Sequence, residues 1–119
     1  MRVLEPRHVE SVIAMILDMD EALISPDLPI AMQSPDLDWI DFVNLTGTLN
    51  RFFDVRISDD LGVDLGAESI EDLFQMVTPS YLAIRVADAF NSTFKGTPDD
   101  FVVWLRNRFD TWDPHAKWE

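Results

Sequence analysis

Residues 38–53 read DWIDFVNLTGTLNRFF, and this stretch sets the fold class. Its apolar side chains (Ile40, Phe42, Val43, Leu45, Leu49, Phe52 and Phe53) recur at the three- and four-residue spacing of an α-helix, not the alternation of a strand. The apolar face is broad, as expected of a helix largely surrounded by others. Asp38 is a good N-cap. Asp41, three positions on, completes a capping-box arrangement and suits the positive end of the helix dipole. Asp54 to Ile57 is expected to end the helix.

Working outward, helix signals continue on both sides. Pro6 suits a first helical turn, and Val9, Val12, Ile13, Ile16 and Leu17 follow on one face, which predicts a helix over 6–19. Pro26, Pro29 and Pro35 then interrupt regular structure in a long loop. Downstream, Ser58-Asp59-Asp60-Leu61-Gly62 reads as a capped single turn closed by glycine. Ser69 with Asp72 caps a helix carrying Ile70, Leu73, Phe74 and Val77. Thr78-Pro79 and Thr97-Pro98 each place a capping hydroxyl before a proline, and so open helices over about 79–94 and 98–110. Lys95-Gly96 separates them. The chain is therefore expected to be all-α, a compact irregular bundle.

Composition narrows the function. The chain has 119 residues, no cysteine, and twenty-two acids against nine bases, a net charge of −13. That length fits one domain with a real core. The 47% hydrophobic fraction excludes wholesale disorder. Without cysteine there are no disulfides, thiolate metal sites or cysteine nucleophiles. No apolar run reaches the roughly 20 residues of a membrane span, and the first residues hold no apolar signal core, so a cytoplasmic location is expected. Strong negative charge argues against nucleic acid and anionic lipid and favours a basic protein partner. The charge is also uneven. Residues 1–77 carry sixteen acids and four bases, net −12, whereas 78–119 carry six and five, net −1. The sequence divides on this basis into an acidic module, 1–77, and a tryptophan-bearing helical extension, 78–119, expected to pack on it.

Within the acidic module the order is helix, long proline-containing loop, aspartate-opened helix, short turn, helix. Residues 38–45, Asp-Trp-Ile-Asp-Phe-Val-Asn-Leu, resemble the attachment motif Asp-Ser-Leu-Asp-x-Val-Glu-Leu of the acyl carrier proteins. Phe53-Asp54, Ile57, Asp59 and Asp60 follow at the spacing of that family's Phe-Asp…Ile-x-Asp-Asp pattern. Leu65 and Ile70–Val77 match its last helix, and Ile24-Ser25-Pro26-Asp27 the start of its long loop. The resemblance covers roughly residues 5–77. It implies an acyl-carrier-like four-helix bundle, here with two additional C-terminal helices, whose acidic second helix meets basic patches on partner enzymes. In that family a serine at the helix start carries phosphopantetheine, with its phosphate near the helix's positive end. The matching residue here is Trp39, and indole has no oxygen with which to form the phosphodiester. Ser34 lies five residues early, before Pro35, and Ser25, Ser58 and Ser69 belong to other segments. No cofactor is expected.

The resemblance thus implies a non-catalytic protein-interaction module for an enzyme of an acyl-lipid or polyketide-type pathway. Its partner-binding residues would be Asp36, Asp38, Trp39, Asp41 and Asn44, with Trp39 as anchor and the aspartates steering. Packing at the bundle's edge is the plainer reading of Trp39, and a solvated face that of the acids. Three further readings stay open: a genuine carrier with a misaligned or substituted serine, an acidic immunity or inhibitor protein that neutralises a basic partner, and noncovalent binding of an acyl chain. Asp59-Asp60…Asp64…Glu68 lacks the ligand alternation and central glycine of an EF-hand, so no metal site is expected. His8 and His115 sit at opposite ends without companion ligands and read as surface histidines. Trp104, Trp112 and Trp118, with Arg106, Arg108 and Lys117, are expected to fold back across the acidic module, the bases meeting its carboxylates. The alternative is an interface of their own.

Overall fold

A computed structural model describes residues 3–111, apart from the side chains of residues 58–60. Among these residues lie six helices and no strand: α1 (Pro6–Leu17), α2 (Trp39–Phe53), α3 (Ser58–Leu65), α4 (Ile70–Met76), α5 (Pro79–Thr93) and α6 (Pro98–Thr111). The described residues form an all-helical fold, as the periodicity predicts.

The helix starts follow the capping chemistry of the sequence. The Asp41 N–H donates to Asp38 Oδ1 at 3.0 Å, and the Asp38 N–H donates to Asp41 Oδ2 at 2.9 Å. Ser69 Oγ accepts from the Asp72 N–H at 3.1 Å, and Thr78 Oγ1 from the Tyr81 N–H at 3.0 Å. Thr97 and Asp100 form a second reciprocal pair, at 2.9 and 3.2 Å. Each bond satisfies a donor that a helix start otherwise leaves open.

The helix ends differ more from expectation. α1 stops at Leu17, because Asp18 turns left-handed (φ 55°) and Met19 donates back to the Ala14 carbonyl at 3.0 Å. The single turn expected at Ser58–Gly62 is instead the two-turn helix α3. Leu61 is fully buried and Leu65 packs on the core one turn later, so the same apolar face carries the helix past Gly62. Gly66, at φ 71°, closes it. The proline-containing loop also has structure: short 3-10 turns at Glu21–Leu23 and Ile30–Met32. Gln33 ties it together, accepting from the Ser25 N–H at 2.9 Å and donating to the Ser25 and Leu28 carbonyls at 2.7 and 2.8 Å. Ile30 and Ser80 bond it to the α4–α5 junction, through the Val77 carbonyl at 2.8 Å and the Pro26 carbonyl at 3.0 Å. His8 is more than a surface residue. Its Nδ1 accepts from the Glu5 N–H at 3.2 Å at the start of α1, and its ring lies 6.3 Å from Phe101.

α2 is the centre of the packing, touching α1, α3, α4 and α5. Phe42, Leu45, Leu49, Phe52 and Phe53 are buried along it. α1 packs most extensively on α5, and Val9, Val12 and Ile13 share one core with Leu82, Val86 and Phe90. Asn91 on α5 binds the chain's beginning: its Oδ1 accepts from the Val3 and Leu4 N–H groups, and its Nδ2 donates to the Leu4 carbonyl, all at 2.9 Å. Arg85 and Asp64 pair at 3.0 Å between α5 and α3, half-exposed and worth little. α6 is held by rings. Phe101 is buried, Trp104 lies 4.9 Å from Phe90, and Phe109 lies 5.2 Å from Phe52. Arg108 stacks over Trp104 at 5.1 Å, so this base meets an indole where a carboxylate was expected. Trp112, His115, Lys117 and Trp118 lie outside the described residues.

Replacing Asn91 with leucine removes three hydrogen bonds and leaves three backbone groups without them, so the variant is expected to lose about 2–3 kcal/mol in urea unfolding. Gly66→Ala, strained by its left-handed backbone, is expected to cost about 1 kcal/mol in the same measurement.

Candidate partner-docking site

The exposed side of α2 departs from the sequence expectation. Ile40 and Val43, expected on its buried face, are 51% and 41% exposed. At about 100° per residue, Phe42, Leu45, Leu49, Phe52 and Phe53 share one arc, and Ile40, Val43, Asn44 and Gly47 the other. The neighbouring helices cover the first arc and leave the second open. Asn44 is exposed, and a Cβ added at Gly47 would meet no heavy atom within 4 Å outside its own helix. Trp39 opens the helix and is 42% exposed. Their angular positions, which the sequence alone contains, separate Ile40 and Val43 from the core arc.

The other site residues lie at the approach to α2 and in its first turn, Asp41 about 100° around the helix from Ile40. Asp36 is exposed in the approach to α2, its N–H donating to Ser34 Oγ at 3.3 Å. Asp38 and Asp41 are oriented by their reciprocal cap, which holds two carboxylates at the helix start while one oxygen of each accepts a backbone hydrogen bond. The arrangement presents indole and aliphatic surface edged by acids. It offers no nucleophilic hydroxyl in the first turn of α2.

Beside Trp39 runs a groove of about 390 Å³ between the starts of α2 and α4. Leu37, Trp39 and Phe74 line it with apolar surface, and Asp38, Glu71 and Asp72 supply carboxylates. Sequence reasoning missed Glu71 and Asp72. Acids in a helix's first turn are ordinary complements to its dipole, and nothing local places them near a residue more than thirty positions upstream.

Burial pushes the Glu10 carboxyl on α1 above its ordinary value near 4.5, and Glu21 and Asp27 add repulsion. Among the described residues, no group of three or more His, Asp or Glu side chains is placed to hold a metal ion. No helix among them is long and apolar enough to cross a membrane. Comparison with protein-family models, characterised proteins and solved structures finds no match to this chain.

A carboxyl raised on folding contributes most below its unfolded value, and that contribution is lost as pH rises through its folded value. Glu10→Gln is therefore expected to raise the melting temperature at pH 7. The gain should shrink on acidification and disappear below pH ~4, which parallel melts of both proteins would show.

Proposed function

We propose that this protein is an acyl-carrier-like docking module without the prosthetic-group serine, and that it binds a basic protein partner and catalyses nothing itself. The observation that carries the reading is the uncovered arc of α2: Trp39, Ile40 and Val43 stand exposed, with Asn44 on the same arc and Asp36, Asp38 and Asp41 at the approach and start of the helix. Large apolar side chains gathered on one helix face, with acids at its start, suit an interface with a buried centre and a steering rim. Gly47 supports the same reading. A mid-helix glycine costs about 1 kcal/mol relative to alanine, and here the space above it is empty, which lets another backbone approach closely. The helix order and the Asp38–Asp41 cap agree with the carrier resemblance, which in turn suggests an enzyme of acyl-lipid or polyketide chemistry as the partner. Trp39 at the first position of α2 speaks against a phosphopantetheine thioester carrier.

Two measurements test this. Incubation with coenzyme A and a promiscuous phosphopantetheinyl transferase is expected to leave the intact mass unchanged, whereas a gain of one phosphopantetheine would establish a genuine carrier. Immobilised protein is expected to retain a basic protein from lysate of its source cells, in a salt-sensitive manner, and Ile40→Asp/Val43→Asp to lose it while melting normally. Equal retention by the double variant would remove α2 as the docking face. Gly47→Ala sharpens the assay: it is expected to gain about 1 kcal/mol of stability while weakening capture.

A further inference from the structure

The groove between α2 and α4 adds a recognition element to this docking face, and the inference rests on the docking reading above. Its apolar lining is Leu37, Trp39 and Phe74, and its charged lining is Asp38, Glu71 and Asp72. We propose that the groove takes the side chain of an arginine presented by the basic protein that docks on α2. The guanidinium lies over the exposed Trp39 indole, the methylene stem runs along Leu37 and Phe74, and the N–H groups donate to the carboxylates.

The chemistry favours this occupant over others. An anion is excluded by three carboxylates. The first turns of α2 and α4 both border the groove, but each contributes only about half a positive charge, so the local balance stays negative. An apolar side chain would bury carboxylates without partners. Lysine would satisfy the charge, yet its ammonium is compact and strongly hydrated. Guanidinium is planar, weakly hydrated and stacks on aromatic faces while its fork meets carboxylate oxygens. The fold already contains one such pair, with Arg108 over Trp104 at 5.1 Å. At Trp39 the ring is exposed and the acids are in place.

The test uses the full-length protein and two acetylated, amidated amphipathic peptides that differ only in carrying arginine or lysine at every basic position. The Trp39 indole N–H resonance, assigned through Trp39→Phe, reports occupancy during titration. The arginine peptide is expected to shift that resonance to saturation and to bind on the order of five-fold more tightly than its lysine twin. Glu71→Gln/Asp72→Asn is expected to weaken the arginine peptide about ten-fold and to erase the preference. Equal binding of the two peptides, an unmoved Trp39 resonance, or an indifferent double variant would each overturn the proposal. If Ile40→Asp alone abolishes binding while the groove variant is indifferent, docking on α2 stands and the arginine site falls. If neither peptide binds the wild-type protein, both fall together.

Discussion

A helix with apolar residues around most of its circumference has to be enclosed, and enclosing α2 organises this protein. Phe42, Leu45, Leu49, Phe52 and Phe53 need apolar neighbours on a wide arc, more than one antiparallel partner can supply. α1, α3, α4 and α5 share that task. Even short α3 is explained by it, since Leu61 and Leu65 are what extend it past Gly62. The ring contacts of α6 continue the same requirement at the far end, where Phe52 and Phe53 would otherwise meet water.

The enclosure is incomplete on one side, and the exposed residues there are not a random sample of surface. Single exposed hydrophobes need no explanation, but Trp39, Ile40 and Val43 fall within two turns of one helix, next to a glycine with empty space above it. The Asp38–Asp41 capping pair satisfies backbone donors that open α2 and holds two carboxylates at the helix start, with Asp38 bordering the groove beside Trp39. Local folding chemistry and the charge at the start of α2 therefore rest on the same two aspartates.

Much of this was legible in the residues. The helix starts were readable because a cap is a local event: Asp38 with Asp41, Ser69 with Asp72, Thr78 and Thr97 each bond within three residues. The ends were less so, because whether a helix continues past Gly62 or stops at Asp18 depends on which side chains find the core. Asp36, Asp38, Trp39, Asp41 and Asn44 follow directly from reading the start of one helix. Glu71 and Asp72 do not, since only the packing of α4 on α2 brings them to Trp39. Likewise His8 has no companion in sequence, but in space it caps α1 and faces Phe101. The prolines announced a loop; Gln33, one polar side chain among many, holds it.

The hydrogen bonds that join Asn91 to Val3 and to Leu4 span eighty-eight and eighty-seven residues respectively. On the ribosome, the first residues leave the exit tunnel long before Asn91 is made. Leu4 cannot reach its buried place, nor α1 its main partner, until α5 has followed. The residues before α5 must therefore wait, with the face of α1 uncovered, and the native core closes only once α5 has emerged. For a protein so strongly negative, self-repulsion between nascent chains is a useful safeguard during that interval.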